Sequence, residues 1–237
     1  AGCSGCTGRM GVCGKTADNS NLQDQLTGAL VGLARSAEGK QPTAHANRAM
    51  LEGLFTTITN VNFDDDAVRR HIQAVHKEKN VLDPSCRDYD MQKLWNDHED
   101  IRSLKSLILF GLRGMAAYAY HALMLGYTHP EVDSFFYKGM KAIGEDIGMD
   151  ELLPIVMETG KANLKCMELL DKANTQTYGT PVPTTVPLTI EKGPFIVISG
   201  HDLYDLHLLL EQTKDKGINI YTHGEMLPAH AYPKLQA

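Results

Sequence analysis

The amino-acid sequence predicts a mostly α-helical protein whose helical bundles are followed by the start of a parallel α/β domain. Three observations predict this fold class. Apolar residues recur at helical spacing from residue 19 to residue 173, a proline-rich segment then interrupts the pattern, and a strand–helix–strand sequence follows. The chain has 237 residues, of which 43% are hydrophobic and 22% charged, so a sizeable core can be buried. These values exclude a disordered chain, a collagen and a disulfide miniprotein.

Residues 1–18 are predicted to form a glycine-rich loop that carries Cys3, Cys6 and Cys13. The chain has five cysteines, and an odd number clustered in this way argues against a secreted disulfide framework and favours a reducing cytoplasm. Closely spaced thiolates suit a soft metal or an iron–sulfur cluster, because the glycines let the backbone turn and offer N–H groups to the sulfides. A zinc loop, which would need a fourth ligand, and a loop of free thiols remain the alternatives.

Six helices are predicted next, and local signals place their ends. Asn19 or Ser20 is the expected N-cap of the first helix, acidic residues 64–66 favour the start of the third, and Pro130 suits the first turn of the fifth. The helices begin at Asn19, Met50, Ala67, Asp100, Pro130 and Met149 and end near Gly39, Ile58, Lys79, Leu125, Ile143 and Ala173. Modest loops between them predict helical bundles.

The remaining residues predict a different architecture. Residues 174–194 contain four prolines and form a linker, and the runs 195–199 and 218–223 are apolar strands with a helical pattern between them. A βαβ unit implies parallel strands with a right-handed crossover, and a single unit is the beginning of a doubly wound sheet. We therefore divide the chain into a cysteine-rich loop (1–18), a helical bundle domain (19–174) and a partial α/β domain (175–237).

Polar residues directly follow both predicted strands. His201 comes after Gly200 at the end of the first strand, and Glu225 comes after His223 and Gly224 at the end of the second. Ligands of open α/β sheets bind at the carboxyl ends of strands that lie about 4.8 Å apart, so we expect His201 and Glu225 to face one cavity and to share a metal site. Imidazole and carboxylate are typical iron ligands. The alternative is that His201 caps the helix and Glu225 is solvated.

Charge and hydropathy exclude two further classes of protein. The net charge is −6, and no basic stripe is present, so nucleic-acid binding is not expected. The least charged stretch, residues 107–127, still contains Arg113 and His121, which predicts a buried helix rather than a membrane span. No signal peptide is recognised. The hydroxyl- and amide-rich residues 56–63 either line a polar cavity or cap a helix.

Several segments resemble the hybrid cluster proteins, a family also called hydroxylamine reductases, in order along nearly the whole chain. The matching segments are GCTGRMGVCGKTAD, NLQDQL, LFTTITNVNFD, EDIRSLKSLILFGLRGMAAYA, LLDKANTQTYG, ISGHDLYDL and LLEQTKDKGINIYTHGEMLPAHAYP. The resemblance implies helical bundles followed by Rossmann-like domains. It also implies a cysteine-bound iron–sulfur cluster (4Fe-4S or 2Fe-2S) near the N-terminus and a hybrid iron–sulfur–oxygen cluster.

The resemblance assigns roles to individual residues of the second cluster. His201 of the GHDL motif and Glu225 of the HGEML motif correspond to ligands of the hybrid cluster. Thr59 of the TITN motif corresponds to a threonine beside the hybrid-cluster cavity. His223 is a weaker candidate, as a proton donor, because the pKa of a histidine lies near neutrality.

At the N-terminal cluster the resemblance covers only part of the ligand set. Cys6 and Cys13 match the last two cysteines of the family motif, and Cys3 stands as a third ligand. The family motif begins with an earlier CxxC, and further cysteine and glutamate ligands of the hybrid cluster lie in its second half. The chain thus looks like the N-terminal half of such an enzyme, whether as a short form, a split subunit or a fragment.

The resemblance implies a cytoplasmic oxidoreductase of nitrogen metabolism. Its reaction would be the reduction of hydroxylamine to ammonia and water, with reduction of nitric oxide as a related activity, and a partner protein would donate the electrons. This chain alone would be inactive if the remaining ligands come from elsewhere. The alternative is a non-enzymatic helical scaffold that binds one cluster, or none, and needs a second chain for the other ligands.

Overall fold

The computed structural model describes residues 10, 11 and 13–236, which form two compact units. One unit runs to Tyr120 and also includes His129–Cys166, whereas the other contains His121–Thr128 and the chain from Met167 onward. The prediction of a mostly helical fold with a small parallel sheet is confirmed.

Helices account for most of the first unit. The α-helices before the first strand are α1 (Ala17–Ser36), α2 (Ala44–Thr56), α3 (Asp65–Leu82), α4 (Met91–Trp95), α5 (Glu99–Met124), α6 (Pro130–Gly144) and α7 (Met149–Tyr178). The ends of α5 and α7 belong to the second unit. Helix α1 packs against α2, α3 and α6, and its residues Leu26, Leu30 and Leu33 are fully buried. Burial of such side chains contributes about 1.5–3 kcal/mol each.

The first helix begins earlier than predicted, for a reason that the structure makes clear. Its N-cap is Thr16, whose Oγ1 accepts a hydrogen bond from the Asn19 backbone N–H at 3.1 Å. The predicted caps Asn19 and Ser20 are both wrong because they lie inside the helix, where the Asn19 side chain is buried and donates to Asp65 Oδ1 at 2.9 Å. The short helix α4 was not predicted, since the surrounding residues are polar and irregular in pattern.

The second unit contains the predicted βαβ element. Strand β1 (Phe195–Ser199) pairs in parallel with β2 (Asn219–His223), and α8 (Leu203–Thr213) connects them. Short 3₁₀ turns follow at Gly224–Ala231 and Pro233–Leu235. One buried core cluster of the unit consists of Tyr178, Leu206, Met226, Ala229 and Leu235.

Among the described residues, α5 is the helix that is long and apolar enough to cross a membrane by length and composition. Core helices of soluble proteins meet the same criteria. Here α5 buries Ile108, Leu112 and Met115, whereas Leu107 and Phe110 on the same helix are exposed.

Candidate functional site

The ends of the two parallel strands bring His201 and Glu225 together. Ser199, the last residue of β1, pairs in register with His223, the last residue of β2, so both strands end at the same edge of the sheet. His201 Nδ1 lies 3.4 Å from Glu225 Oε2, and the two side chains are 60% and 80% exposed. The predicted proximity of these two side chains is therefore confirmed, while their role as metal ligands remains a prediction.

Glycine precedes each of these residues because of the backbone conformation. Gly200 has φ +127° and Gly224 has φ +59°, which are values that L-residues rarely adopt. A Cβ at either position would meet no atom within 4 Å, so crowding does not explain the choice of glycine. The sharp turns direct the two following residues toward each other and leave the strand ends uncovered.

Asp202 and His121 extend the polar group at the strand ends. Asp202 is the N-cap of α8: its Oδ1 accepts hydrogen bonds from the backbone N–H groups of Tyr204 at 2.8 Å and Asp205 at 3.2 Å. Its Oδ2 lies 3.5 Å from His121 Nδ1. Burial lowers the pKa of His121, which the charge of Asp202 partly offsets.

Sequence reasoning did not assign a role to His121. Its ring meets the ring of His201 edge to face, with centroids 5.6 Å apart. His121 lies in the last turn of α5, far from the strands in sequence, so only the fold could reveal the contact. A histidine within an otherwise apolar helix was the available signal.

His223 does not contact either proposed ligand through any interaction that the structure shows. Its Nδ1 forms a hydrogen bond with Ser199 Oγ at 3.0 Å, across the last register pair of the sheet. One ring nitrogen is thereby fixed. A function as proton donor remains a prediction.

The chemistry of the strand-end donors fits part of an iron site. Imidazole nitrogen and carboxylate oxygen are both common ligands of iron in proteins. Within residues 10, 11 and 13–236, however, no group of three or more His, Cys, Asp or Glu side chains is arranged to hold a metal. Within the described residues, His201 and Glu225 offer two donors to a metal, and their assignment as iron ligands remains a prediction.

The N-terminal cysteines are only partly visible in the structure. Cys3 and Cys6 lie outside the described residues, and Cys13 is exposed. Cys13 sits in a tight turn closed by a bridge between Met10 and Thr16 and by a hydrogen bond from Gly11 N–H to the Lys15 carbonyl at 2.8 Å. An exposed thiol at the tip of such a turn fits a cluster ligand, and the assignment of all three cysteines remains a prediction.

The polar segment after α2 behaves as a helix end where the structure shows its contacts. Thr57 is buried, and its Oγ1 donates to the Leu54 carbonyl at 2.8 Å. Thr59 is exposed in the following turn. The expectation that Thr59 lies beside the hybrid cluster is not tested by these contacts.

An open cavity of about 430 Å³ lies in the first unit beside Asp24, Asp88, Tyr89 and Met91. The charged groups at its edge already have partners: His76 Nε2 contacts Asp88 Oδ2 at 2.6 Å, and Trp95 Nε1 donates to Asp24 Oδ2 at 3.0 Å. The cavity is an open surface groove, and its charged residues Asp24 and Asp88 already have partners within the fold.

Comparisons with known proteins cover the whole chain. The model of the Prismane/CO dehydrogenase family matches residues 1–237. The hydroxylamine reductase of Thermodesulfovibrio yellowstonii is 42% identical over 264 residues, an alignment that covers 98% of this chain and 49% of the relative. The hydroxylamine reductase of Maridesulfovibrio salexigens is 43% identical over 258 residues, with 98% and 48% covered. That of Clostridium perfringens is 40% identical over 269 residues, with 100% and 49% covered. The chain spans about half the length of the curated relatives it matches.

Proposed function

The chain belongs to the Prismane/CO dehydrogenase family, and from this premise we propose that it is part of an oxidoreductase that reduces hydroxylamine. The proposed reaction is NH₂OH + 2 e⁻ + 2 H⁺ → NH₃ + H₂O, in which the N–O bond breaks. A reduced electron-transfer protein would supply the electrons. Nitric oxide is the related substrate to be assayed beside hydroxylamine.

The observation that carries this proposal is the contact between His201 and Glu225 at 3.4 Å. The two donors come from neighbouring strand ends, where ligands of open α/β sheets bind. Curated relatives that align over nearly all of this chain carry the name hydroxylamine reductase. The fold and the family thus support the same reaction class.

Proteins of the prismane family carry iron–sulfur and hybrid clusters. When bound, these groups supply electron transfer and the iron at which the substrate is reduced. His201 and Glu225 would hold iron of the hybrid cluster, while Cys3, Cys6 and Cys13 would hold the iron–sulfur cluster.

The residues around the strand ends have separate proposed tasks. The carboxylate of Glu225 is mostly exposed and can change its mode of coordination as substrate enters. The His121 ring packs edge to face against the His201 ring, and Asp202 in turn pairs with His121. Because the Nδ1 of His223 is engaged by Ser199, its Nε2 is the atom that would deliver a proton.

A second function is supported by the incomplete donor set. The described residues offer two donors at the strand ends and no group of three, which suits a helical scaffold whose cluster is completed by another chain or by further sequence. Under this alternative the chain binds one cluster, or none, and has no reductase activity alone. For both functions we propose a cytoplasmic location, since clustered thiols need a reducing compartment.

Metal content and activity of anaerobically purified protein test the proposal. We expect the complete protein to contain iron and acid-labile sulfide and to oxidise a reduced viologen dye only when hydroxylamine is added. His201→Ala should abolish the activity and leave the iron–sulfur cluster bound by the cysteines in place. A folded, colourless and iron-free complete protein would remove the redox function, whereas iron without activity in this chain alone would support the scaffold.

A further inference from the structure

Helix α1 contains a buried polar stripe that its sequence pattern does not explain. Asn19, Gln23 and Thr27 are four residues apart and lie on one face of the helix, with exposed fractions of 1%, 5% and 0%. Burying an amide or a hydroxyl is costly unless hydrogen bonds compensate. These buried polar side chains therefore need hydrogen-bond partners, and two of the partners are cationic side chains.

The middle residue of the stripe, Gln23, binds Lys15 in the turn that presents Cys13. Lys15 Nζ donates to Gln23 Oε1 at 2.7 Å, and Gln23 Nε2 donates to the Asn62 carbonyl at 3.0 Å. Lys15 lies two residues after Cys13, so this hydrogen bond fixes a cationic side chain beside the predicted cluster ligand.

One end of the stripe holds a second cation. Thr27 Oγ1 donates to the Gln23 carbonyl at 2.8 Å and accepts a hydrogen bond from Arg113 at 3.0 Å. The Nε of Arg113 is buried and has no hydrogen-bond partner in the described part of the chain. Burial lowers the pKa of Arg113 to about 10, a value at which the guanidinium is still charged at neutral pH.

A nearby carboxylate partly balances these two cations. Asp24 interacts electrostatically with both Lys15 and Arg113, and its Oδ2 accepts a hydrogen bond from Trp95. Within the described residues, Asp24 forms no ion pair with Arg113, since no such contact lies within 4.0 Å. The group of Lys15, Arg113 and Asp24 thus carries a net charge of +1.

Arg113 is partly exposed as a residue, but its Nε is buried, and a buried cationic donor without a partner is costly unless an anion compensates it. A cluster bound by several thiolates is an anion, and each added electron makes it more negative. Net charge and hydrogen bonds near a cluster set its reduction potential.

We propose that Arg113, with Lys15, provides the positive field that raises the reduction potential of the cluster bound at Cys13, and that Asp24 opposes this field. The polar stripe on α1 holds Lys15 and Arg113 in place, Trp95 holds Asp24, and none of these three charged residues binds the cluster itself. This inference rests on the proposed function in one respect, which is the presence of the cysteine-bound cluster.

Redox titration of the complete holoprotein, followed by electron paramagnetic resonance, tests the inference. Arg113→Met removes the charge and should shift the equilibrium about tenfold toward the oxidised cluster, which is a decrease of about 59 mV for one electron. Asp24→Asn keeps the shape and the acceptor for Trp95, and it should shift the potential in the opposite direction. Arg113→Lys keeps the charge and should stay near the wild-type potential.

Arg48→Met is the matched control, because Arg48 is an exposed arginine paired with Glu52 and water screens its charge. In this variant the reduction potential of the cysteine-bound cluster should equal the wild-type value. Shifts of the same sign for Arg113→Met and Asp24→Asn, or unchanged potentials with only a lower melting temperature, would overturn the inference and leave the proposed function standing. If Arg113→Met does not fold, Asp24→Asn and Arg113→Lys decide. Holoprotein without cysteine-bound iron would overturn the proposed function and the inference with it.

Discussion

Replacing Gly28 with alanine should destabilise the protein because α1 packs directly on the backbone around Tyr89. A Cβ at Gly28 would lie 2.1 Å from the Tyr89 carbonyl oxygen and 3.2 Å from its carbonyl carbon. The same two residues are joined by a hydrogen bond from the Tyr89 N–H to the Gly28 carbonyl at 3.0 Å. Relief of the clash requires the segment to move by more than 1 Å relative to an ordinary contact of about 3.4 Å.

The expected cost follows from three effects. Overpacking typically costs about 1–3 kcal/mol, and weakening the hydrogen bond adds about 0.5–1.5 kcal/mol. Alanine favours a helix over glycine by about 1 kcal/mol, which offsets part of this. The free energy of unfolding of Gly28→Ala should therefore fall by about 2 kcal/mol.

Gly114→Ala is the matched control, because Gly114 also lies inside a helix and a Cβ there would meet no atom within 4 Å. The helix preference then acts alone, and Gly114→Ala should be about 1 kcal/mol more stable than wild type. Urea unfolding followed by circular dichroism measures both variants. Equal or higher stability of Gly28→Ala than of wild type would refute the close packing of α1 on the residues around Tyr89.

Three further outcomes can be measured on the folded chain. Burial lowers the pKa of His71, so its neutral form stabilises the fold above about pH 6.5, and this contribution is lost as pH falls through the lower folded-state pKa. Between pH 7.5 and pH 5.5, the free energy of unfolding should therefore decrease more for wild type than for His71→Gln. Parallel pH dependences of the two proteins would contradict this. Asp202→Ala should lose about 1 kcal/mol with the N-cap of α8, whereas Asp202→Asn should lose much less in the same urea titration. Burial raises the pKa of Cys166 to about 12, whereas Cys13 is exposed. In metal-free protein, iodoacetamide at pH 8 should therefore alkylate Cys13 and spare Cys166, which mass spectrometry measures. Equal labelling of the two cysteines would show that Cys166 is accessible.

The strand-end geometry was predictable because its determinants are local. The apolar runs at 195–199 and 218–223 mark strands, and the short helix between them enforces parallel pairing. Once the strands are parallel and adjacent, the residues that follow Gly200 and Gly224 must emerge at one edge. The contact of His201 with Glu225 follows from that arrangement.

Other parts of the candidate site depend on contacts between distant segments. Asn19 looked like an N-cap because asparagine favours that position, but a tertiary hydrogen bond to Asp65 overrides the local preference. Gln23 and Thr27 are buried, although hydropathy patterns assign polar residues to the surface. His121 contacts His201 only because the last turn of α5 lies beside the strand ends. No local signal reports the partners of these side chains.

Diffraction at the iron absorption edge, from crystals of the anaerobically purified complete protein, tests the central claim most directly. We predict an iron peak within bonding distance, about 2 Å, of both the His201 imidazole and the Glu225 carboxylate. Iron found only at the cysteine-rich loop, with His201 and Glu225 still in contact with each other, would contradict the assignment of these two residues as iron ligands.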